Sequence, residues 1–262
     1  MMPCLVYCLF AGQDPPPPQT PPGVGGGAVE VTGLDGLGAA ISWVDGNPSA
    51  PPVAELLAYG RVVEAFHEQR TVIPLRYGCL CRDRDQVAAL VRAGRGRFES
   101  LLAEIQGCVE MGIRALVPAG AGGECISLQE APPSRQDCAA RAKASQRPGL
   151  AYLLARRGGN QQGAQEGREE GDLPARCRTA LAGLFLRSLS EGPVQAQGPG
   201  KDEKRLLSLY FLVPRPKVQA FRLAFTAFSR QESAKLMLSG PWPPYCFAAP
   251  QVGYRGREGT GP

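Results

Sequence analysis

The glycines and prolines of this chain, 33 and 25 of its 262 residues, are not spread evenly. They concentrate at 12–27, 158–171, 192–200 and 240–262. Such stretches cannot carry a continuous helix or a central strand, because proline removes a donor and glycine loses the most entropy on ordering. They therefore divide the sequence into compact parts joined by linkers and tails. The division expected is an N-terminal α+β domain over 1–118, with a mobile insert at 12–27 that cannot pack. A C-terminal domain follows over 119–248, with a Gly-rich linker at 158–172, and 249–262 forms a flexible tail.

An apolar fraction of 44% is enough for a real core in each part. The net charge is +5 and the isoelectric point about 8.8. Arg156-Arg157 and Lys204-Arg205 are only pairs, so the basic residues form no stripe of the kind that tracks a nucleic acid. No apolar run approaches the ~20 residues of a membrane helix. The apolar stretch Cys4–Ala11 lacks a preceding basic region and is followed by Gln13-Asp14 and four prolines, so it does not resemble a secretory signal. A soluble cytoplasmic protein is expected, with neither nucleic acid nor lipid membrane as partner. The nine cysteines (Cys4, Cys8, Cys79, Cys81, Cys108, Cys125, Cys138, Cys177 and Cys246) are odd in number and irregular in spacing. That pattern argues against a disulfide framework, and most are expected to be small buried hydrophobes.

Periodicity assigns the elements. Residues 4–11 read as a buried first strand. Residues 28–34 and 37–44 read as a hairpin turned at Asp35-Gly36, whose residue types tolerate positive φ. A helix follows at 52–69, with Leu56, Leu57, Val63 and Phe66 on its apolar face. Residues 71–80 read as an extended segment that Pro74 confines to an edge or a bulge. Asp83 and Gln86 resemble a capping box opening a second helix, with Val87, Leu90, Val91, Phe98, Leu101, Leu102 and Ile105 inward. A strand at 108–117 then completes a β-β-β-α-β-α-β first domain, its helices covering one sheet face. Beyond it, 134–157 is expected to be mainly helical. Pro174 starts a helix with Cys177, Leu181, Leu184 and Phe185 on its apolar side. Residues 204–213 read as a central strand, apolar on both faces. A helix with the stripe Val218, Phe221, Phe225 and Phe228 and a strand at 234–239 complete a βαβ unit.

The catalytic inventory is thin. His67 is the one histidine, and it falls on a helix stripe, which favours a core or flanking role over a general base. Cys79 and Cys81 lie near Arg76, Arg82 and Arg84, the one hint of a lowered thiol pKa, although burial serves as well. Gly23-x-Gly25-Gly26-Gly27 precedes a strand, whereas a dinucleotide loop follows one and opens a helix. No metal-ligand spacing occurs, and no cofactor is implied. Two segments are unusual for plain packing. In Ile73-Pro-Leu-Arg-Tyr-Gly78 an arginine on an apolar strand calls for an acidic partner, for which Glu110 could serve. In Ser239-Gly-Pro-Trp-Pro-Pro-Tyr245 three prolines stiffen the chain around a tryptophan. Either a contact surface or a corner folded over its own core accounts for it.

Five segments in register carry a resemblance: Ile73–Gly78, Val109-Glu-Met-Gly-Ile-Arg114, Gly149-Leu-Ala-Tyr-Leu153, Leu209-Tyr-Phe-Leu-Val-Pro214 and Gly240-Pro-Trp-Pro-Pro-Tyr-Cys-Phe247. With them the chain resembles the gas vesicle GvpL/GvpF proteins over most of residues 5–248. It departs in Cys246, where serine is usual, in a longer insert at 12–27 and in a more Gly-rich linker. The resemblance implies an α+β protein of two domains, the second a modified ferredoxin-like fold with added helices. It implies a gas-vesicle-associated assembly role without enzymatic activity. It also implies contact with the small shell protein GvpA and other accessory proteins, as chaperone, nucleator or minor vesicle component. Arg76, Tyr77, Glu110, Trp242 and Tyr245 are the candidate contact residues. The competing expectations are a ferredoxin-like regulatory module that senses a small ligand and an enzyme using Cys79 or Cys81.

Overall fold

The computed structural model describes residues 2–45, 51–118, 173–195 and 204–248. The expected helix at 134–157, the linker at 158–172 and the tail at 249–262 lie outside these residues. The protein is α+β, with two antiparallel sheets.

The first sheet contains β1 (Cys4–Ala11), β2 (Glu30–Leu34), β3 (Leu37–Trp43), β4 (Val72–Pro74) and β5 (Leu80–Cys81). Its order is β2-β3-β1-β4, with β5 also paired to β1. Asp35 (φ 50°) and Gly36 (φ 86°) make the hairpin turn between β2 and β3. Pro74 ends an edge strand, where its missing N–H leaves no gap in the ladder. β1 is central and buried along almost its whole length. A register shift between Val6 and Cys8 inserts one residue against β3. The bulge changes which parity faces which side. Cys4, Val6 and Leu9 share one core, whereas Leu5, Tyr7, Cys8 and Phe10 share another.

Each of those cores takes its own helix. α1 (Val53–Gln69) contributes Tyr59, Val62, Val63 and Phe66 to the second, and α2 (Arg84–Glu104) contributes Val87, Val91, Phe98 and Leu101 to the first. The helices thus cover both faces of the sheet, not one. The buried face of α1 also differs from expectation. Leu56 and Leu57 are exposed, and Tyr59 points inward instead. Its hydroxyl lies 3.0–3.2 Å from the carbonyl oxygens of Val6, Tyr7 and Leu75, which fixes the rotation of the helix. α2 opens as its sequence indicates. Asp83 Oδ1 accepts from Gln86 N–H at 2.8 Å, and Gln86 Oε1 accepts from Arg82 N–H at 2.6 Å. That is a capping box displaced by one residue on its return arm.

The insert at 12–27 is packed rather than loose. Val24 is buried in the α1 core, its N–H donates to Tyr7 Oη at 2.8 Å, and that hydroxyl also bonds Ser42 Oγ at 2.7 Å. A 3-10 turn at Val24–Gly26 closes beneath it, with Gly25 at φ 71°. Val24, the buried Pro17 and one N–H aimed at a buried hydroxyl anchor a stretch whose prolines have little chain entropy left to lose.

The second sheet contains β6 (Cys108–Pro118), β7 (Arg187–Gln195), β8 (Lys204–Pro214) and β9 (Lys235–Trp242), in the order β7-β8-β6-β9. β6 therefore does not complete the first sheet. It pairs with β8 over its full length and with β9 on its other side. With α3 (Leu173–Ala180) and α4 (Val218–Ser229) the described order is β-α-β-β-α-β, with the first and third strands side by side at the centre. That is the ferredoxin-like arrangement. The expected βαβ unit is consequently split: β6 lies between β8 and β9. β7 was not expected, since 192–200 had the composition of a linker. It is a polar edge strand with a register shift between Glu191 and Val194.

One face of this sheet packs Val109, Met111, Ile113, Phe211 and Val213 against Cys177, Leu181, Phe221, Phe225 and Phe228. On the opposite face, Leu212 joins the α2 core together with Phe247 and Ala248. Polar links hold the two sheets together at the margins. The Arg215 guanidinium donates to the His67 carbonyl, and Arg187 pairs with Glu104 at 2.9 Å.

Candidate functional site

The strand β9 runs through Gly240-Pro241-Trp242 instead of stopping at 239. Proline is tolerated there because β9 is an edge strand. The Gly240–Pro241 peptide is cis, and Gly240 has φ 107°. A Cβ at Gly240 would lie 2.7 Å from the Glu110 carbonyl oxygen, so only glycine fits. Arg222 Nη2 donates to the Gly240 carbonyl at 3.0 Å, fixing the strand to α4. The chain then turns inward. Pro243 and Pro244 are buried, and a short helix, α5 (Tyr245–Ala248), places Phe247 in the α2 core.

Three of the five candidate residues meet at this corner. Glu110 stands opposite Trp242 across the β6–β9 ladder, at an irregularity where β9 gains one residue. Its carboxylate is buried and accepts from the Cys246 N–H at 2.7 Å. Burial raises its pKa, and the Cys246 N–H opposes that shift. Tyr245 is half-buried against the core that holds Tyr7 and Tyr59. Its hydroxyl is pushed upward, first by burial and then by Cys8, Glu64 and Glu110. Trp242, by contrast, is 43% exposed.

The other two residues sit on the loop between β4 and β5. Tyr77 packs edge-on against Tyr59 at 5.3 Å and donates to Glu55 Oε2 at 2.7 Å, tying the loop to the first turn of α1. Arg76 is exposed. The expected Arg76–Glu110 pair does not form: Glu110 lies in the other sheet, and its partner is the Cys246 backbone. Tyr77 and Tyr245 do border the same core.

Register exposes two residues that sequence reasoning missed. Glu110, Gly112, Arg114 and Leu116 share the β6 face opposite the α3–α4 core, and Met237 stands across from Arg114. Leu116 is 37% and Met237 56% exposed. With Trp242 they make a strip of exposed apolar side chains on one face of the outer half of the sheet, interrupted by Ser239 and by the exposed Arg114 and Lys235. The alternation Glu110-Gly-Arg114-Leu116 was the available signal. It marks Leu116 but not Met237, whose place follows only from the pairing of β9 with β6.

The expectation of a reactive thiol at Cys79 or Cys81 loses its basis. Burial raises Cys79 to about 12 and Cys81 to about 11, the reverse of what a nucleophilic thiol requires. His67 is buried with neither ring nitrogen hydrogen-bonded, and burial together with Arg215 lowers its pKa to about 4. It is a core residue at the junction of the sheets. No group of metal ligands occurs among the described residues, and no helix among them is long and apolar enough to cross a membrane.

The family model of the gas vesicle synthesis protein GvpL/GvpF matches residues 3–249. The chain belongs to the GvpL/GvpF family. Gas vesicle protein L from Streptomyces sp. (strain CB03234) is 27% identical over 191 residues, which is 73% of this chain and 67% of the relative. Two crystal structures share the fold. Gas vesicle protein GvpF from Anabaena sp. PCC7120 has a TM-score of 0.63, covering 95% of this chain and 96% of that one. GvpF from Microcystis aeruginosa has a TM-score of 0.64, covering 95% and 99%. Identity to each is 16%, so these two matches speak for the fold alone. Within this GvpL/GvpF chain, Gly240–Phe247, one of the five segments that carried the resemblance, packs Phe247 into the core shared by α2 and the second sheet.

Proposed function

We propose that this GvpL/GvpF protein serves gas vesicle assembly by binding the small shell protein GvpA, and that the strip containing Trp242 is its contact surface. The observation that carries the proposal is the exposure of Trp242 at a rigid corner where its neighbours Pro243, Pro244 and Phe247 are buried. A tryptophan held there loses little side-chain freedom on binding, and aromatic anchors with this geometry dominate interface energies. Leu116 and Met237 extend the apolar area. An unassembled shell subunit exposes apolar surface and strand edges, both aggregation hazards. Covering them, or presenting them in order, is a task for such a strip. Arg76, exposed on a loop that Tyr77 fixes to α1, is a second candidate contact, and Tyr245 and Glu110 support the corner from inside.

The test is a binding measurement between the protein and the shell protein, comparing wild type with Trp242→Ala, Met237→Ala and Arg76→Ala. Loss of binding in the first two identifies the strip. Deletion in a gas-vesicle-forming host tests the role itself. Normal, pressure-collapsible vesicles in the deletion strain would remove the assembly reading.

A further inference from the structure

The outer face of the second sheet is cationic where its apolar side chains are exposed. Across the β6–β9 ladder Leu116 stands opposite Lys235, and Arg114 opposite Met237. Paired residues share a face, so two exposed cations lie between the exposed apolar groups of the strip. The acids within 108–118, 173–195 and 204–248 are Glu110, Glu191 and Glu232, and each is engaged elsewhere. Glu110 is buried and accepts from the Cys246 N–H. Glu191, on the β7 side of the face, accepts from the Tyr210 hydroxyl at 3.1 Å. Glu232 pairs with Arg176 at 2.7 Å. Among the described residues, the side chains of Arg114 and Lys235 make neither a hydrogen bond nor an ion pair.

A surface cation in open water needs no partner. Inside a contact it does. Whatever covers Leu116, Met237 and Trp242 also takes water from Arg114 and Lys235, and a desolvated charge is costly without a counter-charge. The chain has no free carboxylate on this half of the sheet, so the partner must bring one. The free edge of β9 is a poor seat for an added strand, because Pro241 has no N–H and the Gly240 carbonyl is taken by Arg222. The open face above the strip suits a helix instead, whose apolar stripe and flanking residues spread over several strand positions.

We infer that the strip receives an acidic amphipathic helix, its apolar stripe on Trp242, Met237 and Leu116 and its carboxylates on Arg114 and Lys235. This rests on the reading of the strip as a contact surface and adds the chemistry of the partner. The probes are two helical peptides that share one leucine stripe, one with glutamates on its polar face and one with lysines. In NMR spectra of the full chain the glutamate peptide should give saturable shifts at the Trp242 indole and at the Met237 and Leu116 amides. The lysine peptide should bind at least about tenfold more weakly. The double variant Arg114→Glu, Lys235→Glu, changed only at exposed positions, should reverse that order, which a damaged fold would not do. Equal binding of the two peptides, an unchanged order in the double variant, no saturable shift, or tighter binding of a single-stranded oligonucleotide at the same residues would overturn the inference. The shell protein distinguishes the two proposals. Shell-protein binding that is lost in Trp242→Ala but unchanged in the double variant overturns the acidic helix and keeps the contact strip. Binding of the glutamate peptide without binding of the shell protein overturns the shell protein as partner and supports the acidic helix.

Discussion

The stretches 12–27 and 240–247 are both rich in proline and opposite in what they leave outside. Both bend a proline-rich backbone over the first sheet, and both reach the same tyrosine-lined core, one through Val24 and the other through Tyr245. Both also bring a main-chain N–H to a buried acceptor: Val24 to the Tyr7 hydroxyl, Cys246 to the Glu110 carboxylate. The insert presents outward chiefly prolines, glycines and short polar groups. The second stretch presents Trp242, beside Met237 on the same strand. Proline density therefore reports where a backbone is stiff, and not whether it packs. The placement of a few apolar side chains separates a clip that only holds the fold from one that also offers a surface.

Four perturbations, from the largest effect to the smallest, break or sharpen that contrast. Phe247→Ala should destabilise the protein by about 3–5 kcal/mol in urea unfolding, because the ring is fully enclosed between the sheets. Loss below about 1 kcal/mol would show that the second stretch does not hold the sheets together. Acidification should come next. His67 falls from 6.5 unfolded to about 4 folded, so its neutral form stabilises the fold above pH 6.5. That stability, roughly 3 kcal/mol, is lost as pH drops from 6.5 through 4, and His67→Phe should flatten the profile there. Glu110 acts in the opposite sense. Its folded pKa is raised above 4.5, so it binds its proton more tightly when folded, and stability declines as pH rises through the window just above 4.5. Glu110→Gln, which still accepts from the Cys246 N–H, should remove that decline and leave stability at neutral pH unchanged or higher. Val24→Ala should cost about 2 kcal/mol. An effect equal to that of Phe247→Ala would make the two stretches equivalent clips.

Local features were legible in the sequence and non-local ones were not. The Asp35-Gly36 turn, the Asp83 cap, the edge position of Pro74 and the phenylalanine stripe of α4 all follow from chemistry within a few residues. The sheet membership of β6 does not. Its neighbours in sequence belong to the first sheet, and adjacency argued for pairing there. Its true partners begin almost a hundred residues later. β7 was missed because a polar edge strand carries little alternation. The buried face of α1 was misassigned because two apolar stripes compete on that helix. The choice between them depends on Tyr59 reaching three carbonyls of the sheet. At the candidate site, Glu110, Trp242 and Tyr245 were named from sequence and do share one corner. Glu110 and Arg76 were expected to pair, an expectation that fell with the sheet assignment of β6. Met237 became visible only through register.

The most direct test of the account is the affinity of Trp242→Ala for the shell protein, measured together with its thermal stability. Trp242 still buries more than half of its surface against the sheet, so its removal should cost folding stability about 1–3 kcal/mol and leave the protein folded. It should weaken binding at least about tenfold, as expected of an interface anchor. Wild-type affinity in a folded Trp242→Ala protein would contradict the account and reduce the segment to a structural clip like the insert at 12–27.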